Sequence, residues 1–222
     1  MAEARCWPLT HKRMISHLKK YIFVHIPKTG GTSIEARLLQ EEGVEINDSN
    51  FPLSKLTLDQ QRKYRVGKNS RQHWPLGRFP YRYQRRYFCF TFVRNPWDLM
   101  VSEFLYVSRI EGLQSLDRDE VSSSDFQDRF KRFIRSGKGD RYHLRPQYRF
   151  INRRMDFIGR FENLQKDFEA VSERVGLPLV KLPHRNRSIR GHYSDYFDDE
   201  SRALVSKKFR KDIELFDFSF CE

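Results

Sequence analysis

The sequence predicts a single α/β domain with a central parallel sheet and helices on both faces of the sheet. Two segments carry this prediction. In each of them, at residues 21–38 and 87–105, an apolar run rich in β-formers is followed by a turn and then by apolar residues at helical spacing. Strands that each lead into a helix are typical of parallel sheets covered by helices. A chain of 222 residues is long enough for one such domain.

The first strand is predicted over 21–26, and the turn after it is Pro27–Ser33, with the sequence Pro-Lys-Thr-Gly-Gly-Thr-Ser. Its glycines, Gly30 and Gly31, let the backbone bend tightly and approach a ligand closely, and N–H groups at a helix N-terminus attract anions. The turn adds a cation and three hydroxyl groups, from Lys28, Thr29, Thr32 and Ser33. It therefore suits a phosphate or sulfate, although the nucleoside triphosphate pattern Gly-x-x-x-x-Gly-Lys-Ser/Thr is absent.

The second strand is predicted over 87–93 and is followed directly by Arg94. Asn95 is a good N-cap and Pro96 a good first helical residue, so a helix should begin there and carry Ser102 in its second turn. Ligands of open parallel sheets bind outside the carboxyl ends of the strands. Both turns are thus expected at a binding site.

The remaining elements are predicted from capping and spacing. Ser124–Gln127 matches a capping box that opens a helix, and residues 155–161 form a third strand. Residues 164–175 form an amphipathic helix that ends at a glycine, and a last helix starts near Asp198. Residues 1–20 are predicted to be an N-terminal extension of the domain, which spans residues 21–222.

These motifs resemble those of sulfotransferases that use 3′-phosphoadenosine 5′-phosphosulfate (PAPS). Residues 27–33 resemble the 5′-phosphosulfate loop of that family, and residues 92–98, with Ser102 beyond them, resemble its 3′-phosphate segment. The similarity is to the carbohydrate group, which includes heparan sulfate 2-O-sulfotransferase and bacterial members. Three later stretches are similar to the same group: residues 161–168, 182–188 and 212–216. The resemblance covers most of residues 20–218 and implies a P-loop-type three-layer fold, PAPS as co-substrate and no metal.

The resemblance also implies a set of site residues. The donor-binding residues would be Lys28, Thr29, Gly30, Gly31, Thr32, Ser33, Arg94, Ser102, Arg187 and Ser188. The catalytic residues would be Lys28, which supports charge on the leaving phosphate, and His73, which lies 21 residues before Arg94 and accepts the proton of the acceptor hydroxyl. Rivals for the base are His25, Glu35, His143 and His192. Arg145 and Gln147 match a recurrent family stretch and are expected on the acceptor side.

The net charge of +13 predicts anionic partners. A basic nucleic-acid-binding module is one alternative, but no helix-turn-helix, zinc-finger or RNA motif is present and the basic residues are spread over several segments, so no specific nucleic acid is expected. A kinase-like P-loop protein is the other alternative. The basic stretches Lys63–Arg86 and Arg141–Arg154 suggest that the acceptor is an anionic or sugar-rich carbohydrate beside His73.

Three widely spaced cysteines favour neither a disulfide framework nor a zinc site, and they predict a cytoplasmic protein. No apolar run approaches the ~18 residues of a membrane span, and the first residues lack the features of a secretory signal. The sequence does not indicate an oligomeric state.

Overall fold

The computed structural model describes residues 14–41, 43, 73–110, 123–136, 143–183 and 191–221. Within these residues four strands form one sheet, in the order β1 (Ile15–Ser16), β2 (Tyr21–Val24), β3 (Phe88–Val93) and β4 (Phe157–Arg160). β2 and β3 pair in parallel, with Tyr21 opposite Phe88, whereas β1 pairs with β2 in antiparallel orientation. The predicted α/β class and the parallel pairing of the two motif strands are confirmed.

Seven α-helices lie in the described residues: α1 (Gly31–Glu41), α2 (Tyr81–Gln84), α3 (Pro96–Ile110), α4 (Ser124–Ser136), α5 (Leu164–Val175), α6 (Asp199–Lys208) and α7 (Arg210–Phe216). The sequence predicted one continuous helix after Asp198. The chain instead leaves the helical conformation at Phe209, where φ is −108° and ψ is 19°, so α6 and α7 are separate helices. The cap of α4 also lies one residue earlier than predicted, because Ser123 Oγ accepts the Phe126 N–H at 3.2 Å.

The described residues form two compact units. The sheet unit comprises residues 14–26, 30–41, 43, 73–92 and 150–183, and the helical unit comprises residues 27–29, 93–110, 123–136, 143–149 and 191–221. Part of the predicted extension, residues 15–16, forms strand β1. A single domain over residues 21–222 stays a prediction.

The sheet unit has an aromatic and aliphatic core. On one face of β2 and β3, buried aromatic rings pack with α1 and α5; the cluster includes Phe23, Phe90, Leu38 and Phe168. The opposite-facing residues of these strands are also buried: Ile22, Val24, Cys89 and Thr91. Strands that are apolar on both faces are typical of parallel sheets, and each large side chain removed from water contributes roughly 1.5–3 kcal/mol.

The helical unit has its own aromatic core. The Phe104 ring of α3 meets the Phe126, Phe130 and Phe133 rings of α4, with centroids 5.6, 5.1 and 5.2 Å away. The phenylalanines of α4 recur at helical spacing, so this helix buries one stripe, as the sequence predicted. The unit therefore supports α3, the helix that begins beside Arg94.

Candidate active site

The turn after β2 reaches α1 through two glycines. Gly30 has a φ of +79°, and a Cβ added there would lie 2.8 Å from Leu164 Cδ2, so both its conformation and its surroundings favour glycine. α1 begins at Gly31 and has no acidic residue in its first turn. The positive end of its dipole is therefore not complemented by a carboxylate in that turn.

His25 lies over this helix start within the sheet unit. A Cβ at Gly31 would overlap the His25 ring, and His25 Nδ1 lies 2.9 Å from Glu35 Oε1. His73 Nδ1 is 3.0 Å from the His25 carbonyl oxygen, and the two imidazole rings meet edge to face with centroids 4.6 Å apart. The structure thus brings the predicted base, His73, together with two of its rivals beside the first turn of α1.

Arg94 follows β3 and is buried in the helical unit. Its Nε donates to Asp98 Oδ2 and its Nη1 donates to the carbonyl oxygen of Lys28, both at 2.8 Å. Lys28 has a φ of +65°, a left-handed conformation that non-glycine residues adopt at a cost of order 1 kcal/mol or more. The bond to Lys28 joins the two segments that the sequence singled out.

α3 begins as predicted: Asn95 Oδ1 accepts the Trp97 N–H at 3.1 Å, and Pro96 is the first helical residue. Ser102 is partly buried four residues after Asp98, so the two side chains lie on the same face of α3. One turn further, the Tyr106 ring lies under Lys28 Nζ, with 4.2 Å from the nitrogen to the ring centroid. Arg94, Ser102 and Lys28 are therefore all associated with one face of α3.

Gln147 fixes the backbone of Arg94. Its Oε1 accepts the Arg94 N–H and its Nε2 donates to the Arg94 carbonyl oxygen, both at 2.8 Å. Gln147 is fully buried and both polar groups of its side chain bond to the Arg94 backbone, so here it supports Arg94, and its expected place on the acceptor side stays a prediction. Asp212 in turn accepts the Gln147 N–H at 2.7 Å and the Tyr148 N–H at 2.8 Å. Burial raises the pKa of Asp212 to about 6, although these two hydrogen bonds oppose the rise.

The helical unit also contains a histidine–carboxylate pair. His143 Nδ1 lies 3.0 and 3.1 Å from the two oxygens of Glu103, which is buried. The His143 and Tyr106 ring centroids are 6.1 Å apart. Sequence reasoning named His143 only as a rival base and missed Glu103, because the two residues are 40 positions apart and no periodicity relates them.

The remaining predicted site residues differ in their exposure, and two of them lie outside the described residues. Thr29 and Ser33 are buried and Thr32 is partly exposed, and the Ser33 N–H donates to the Gly30 carbonyl oxygen at 3.0 Å. Arg187 and Ser188 lie outside the described residues. Arg145 is partly exposed, and its acceptor role stays a prediction.

Comparison with known proteins identifies the family. The model of the sulfotransferase family matches residues 11–219. The chain belongs to the sulfotransferase family. A protein of Archaeoglobus fulgidus described as uncharacterized is 33% identical over 96 residues, which are 41% of this chain and 70% of that relative.

Sulfotransferases transfer a sulfuryl group to an acceptor and generally take it from PAPS. The α/β architecture of this sulfotransferase agrees with the P-loop-like fold of the family. In the part of the chain that the structure describes, no helix has the length and apolar composition needed to cross a membrane. The same residues contain no group of three histidine, cysteine or acidic side chains that could hold a metal.

Proposed function

We propose that this sulfotransferase transfers the sulfuryl group of PAPS to a hydroxyl of a carbohydrate. The observation that carries the proposal is the bond from Arg94 Nη1 to the carbonyl oxygen of Lys28. It connects the segment that resembles a 5′-phosphosulfate loop with the segment that resembles a 3′-phosphate site. PAPS carries a phosphate or phosphosulfate at each of these positions, so both segments would contact one donor.

The residues present fit the donor. In the proposed site, the α1 turn would hold the 5′-phosphosulfate through its backbone N–H groups and hydroxyls, with no carboxylate in the first helical turn to repel it. Arg94 and Ser102 would hold the 3′-phosphate, since a guanidinium binds phosphate through paired, charge-assisted hydrogen bonds. Lys28 would follow the negative charge that develops on the leaving phosphate.

His73 is the proposed base. A backbone carbonyl only accepts hydrogen bonds, so its contact with His73 Nδ1 requires the proton on that nitrogen. The neutral ring then carries its lone pair on Nε2, which is the form that accepts a proton from a hydroxyl. In the transfer, the acceptor oxygen forms a bond to sulfur, the bond from sulfur to the phosphate oxygen breaks, and the hydroxyl proton passes to His73.

His143 is the second candidate for the base. Its Nδ1 is held by the Glu103 carboxylate, and a carboxylate in this position orients the imidazole of a catalytic base. His143 also lies next to Tyr106, the residue that contacts Lys28 Nζ. Substitution of each histidine separates the two candidates, because only loss of the true base should abolish turnover.

Isothermal titration calorimetry tests the donor assignment. Binding of 3′,5′-bisphosphoadenosine should be much tighter than binding of ATP, because the bisphosphate has a phosphate for each motif. Equal affinities, or tighter ATP binding, would instead favour the kinase-like alternative.

The carbohydrate acceptor is tested by incubating purified glycans with radiolabelled PAPS. We expect the radiolabelled sulfuryl group to be transferred to a glycan. An anionic glycan is expected in particular, because the chain carries a net charge of +13. Transfer only to small phenols or steroids would contradict the carbohydrate assignment while leaving the donor assignment intact.

A further inference from the structure

A basic surface separate from the candidate active site lies in the sheet unit. The arginine surface is defined by one tyrosine and five arginines on two segments: Tyr81, Arg82, Arg85, Arg86, Arg153 and Arg154. The charges of Arg85, Arg153 and Arg154 act on Tyr81, and those of Arg82 and Arg86 act on the neighbouring Tyr87. Arg154 Nη2 donates to the Tyr81 hydroxyl at 3.0 Å, and Asn152 Nδ2 donates to Gln84 Oε1 at 3.2 Å. Two segments that are distant in the sequence are thereby packed into one surface.

The arginine surface carries a positive charge that no ion pair within the described residues neutralises. Among the described residues no carboxylate pairs with any of the five arginines, whereas other arginines such as Arg94 and Arg37 have an acidic partner. Tyr81 is 55% exposed. The hydrogen bond and charge of Arg154, together with the charges of Arg85 and Arg153, lower the pKa of the Tyr81 hydroxyl. The surface therefore presents a fixed positive field to solvent.

The arginine surface lies at the amino-terminal end of β3. Asp156, which follows Arg154 closely, pairs with Cys89 through two hydrogen bonds of 2.7 and 2.8 Å, and Cys89 is the second residue of that strand. His25, in contrast, follows the carboxyl end of β2. Because Cys89 pairs with Ile22, three residues of strand, or about 10 Å, separate these two levels of the sheet.

The basic stretches Lys63–Arg86 and Arg141–Arg154 suggested an anionic or sugar-rich acceptor beside His73, and that acceptor stays a prediction. In the sheet unit, His73 bonds to His25 at the carboxyl end of β2, whereas the arginine surface lies at the other end of the strands. A small acceptor bound at His73 would not reach the arginine surface. A ligand that contacts both must be extended and must carry several negative charges.

We propose that the arginine surface binds an anionic polysaccharide chain, which is the acceptor, at a distance from the reacting hydroxyl. The proposal rests on the function proposed above. Carboxylate and sulfate groups recur along such a chain, and arginine binds both through paired hydrogen bonds. The exposed ring of Tyr81 provides an apolar face for a sugar ring.

Fluorescence anisotropy with a fluorescein-labelled heparin oligosaccharide tests the proposal at near-physiological salt. The test variant combines Arg85→Glu, Arg86→Glu and Arg153→Glu, all at exposed positions. The matched control combines Arg132→Glu, Lys207→Glu and Arg210→Glu, which are exposed in the helical unit and change the net charge equally. We expect the test variant to bind about tenfold more weakly or worse, and the control to change by less than about threefold.

A triple glutamine variant at residues 85, 86 and 153 covers the case in which charge reversal impairs folding, and it should weaken binding in the same direction. Equal losses in the test variant and the control would overturn the proposal, since net charge alone would then explain binding. No loss in either would overturn it as well, since the arginine surface would then not contribute to binding. A single-stranded DNA of matched charge is the second ligand. If it binds more tightly than the oligosaccharide, and if the test variant reduces its affinity more, the surface binds nucleic acid and the proposal is overturned.

Titration of each protein with 3′,5′-bisphosphoadenosine separates this proposal from the proposed function. All variants should bind the bisphosphate as the unchanged protein does. If the unchanged protein does not bind the bisphosphate, the donor assignment is refuted. The anisotropy measurement would still test the arginine surface.

Discussion

The turns after β2 and β3 both lead from a buried strand into a helix, but the two helices begin differently. α3 is capped by Asn95 and carries Asp98 in its first turn, where Asp98 bonds to Arg94. α1 begins at Gly31 and has no acidic residue in its first turn. The dipole of α3 is therefore complemented by its own side chains, and the group suited to an anion there is the Arg94 side chain. At α1 the corresponding groups belong to the backbone.

This difference suggests separate roles for the two turns in reacting with the donor and in holding it. The α1 turn, with His73 beside it, would be the reacting end of the donor, and the α3 turn would be the end that holds it. Lys28 is associated with both, because its carbonyl oxygen accepts from Arg94 although it precedes α1 in the sequence. Substitutions at the reacting end should lower turnover, and substitutions at the holding end should lower donor affinity.

The largest effect is expected for His73→Ala. Loss of a general base costs ~10²–10⁴ in rate, while affinity for 3′,5′-bisphosphoadenosine should stay unchanged. The acidic limb of the pH profile of turnover should also disappear. Single-turnover assays with labelled PAPS measure the rate of this variant and of His143→Ala, in which the second candidate base is removed. Near-normal activity of His73→Ala together with an inactive His143→Ala would transfer the role to His143.

Lys28→Ala should reduce turnover by ~10²–10³, because removal of one group that stabilises developing negative charge costs this much. Lys20→Ala is a matched control, since Lys20 is also a lysine with positive φ, at 54°. Its turnover should be unchanged. A Lys28→Ala variant that reacts at the normal rate but binds the bisphosphate weakly would place Lys28 at the holding end and contradict its role at the reacting end.

Much of this arrangement is predictable from local sequence patterns. β2, β3 and the start of α3 at Asn95 follow from β-formers and from the N-cap, because these signals lie within a few adjacent residues. The hydrogen bonds that support Arg94 cannot be predicted from local patterns, since Gln147 is 53 residues from Arg94 and Asp212 is 65 residues from Gln147. Such contacts arise when segments pack, and no spacing rule relates them.

The packing of the Gln147 side chain could not be predicted from the sequence for the same physical reason. The motif Leu144-Arg145-Pro146-Gln147 marks a site, but it does not indicate whether a side chain faces the ligand or the backbone. Burial decides this, and Gln147 is buried against both backbone polar groups of Arg94. Sequence alone therefore identified the segment and not the role of its residue.

Arg94→Ala should weaken binding of 3′,5′-bisphosphoadenosine by ~2 kcal/mol, about thirtyfold, because a charged hydrogen-bonding partner is lost. Arg37→Ala is the matched control. Arg37 is also a buried arginine paired with an acid four residues later, Glu41, but it lies within α1. Calorimetry should show normal affinity for the control. If both variants lose stability and neither loses affinity, Arg94 is a structural ion-pair residue.

The remaining effect concerns how the stability of the protein depends on pH through Asp212, which accepts the N–H group of Gln147 behind Arg94. The pKa of Asp212 is raised from 3.8 to about 6, so the folded protein holds a proton there that the unfolded chain has released. Its contribution to stability is therefore fully present below about pH 4 and is lost as the pH rises through about 6, by on the order of 3 kcal/mol. Asp212→Asn should remove this slope. It should also lower stability overall, because asparagine cannot accept both backbone N–H groups.

Asp198 provides the opposite case. Burial raises its pKa, but hydrogen bonds from Ser201 and Lys131 outweigh burial and lower it to about 2. Its contribution is present above about pH 4 and is lost as the pH falls towards 2, so Asp198→Asn should flatten only the acidic end of the curve. Urea unfolding of the three proteins between pH 3 and 7 measures both slopes. If Asp212→Asn and the unchanged protein have parallel curves between pH 4 and 6, Asp212 is ionised throughout, and the support beneath Arg94 does not titrate in that range.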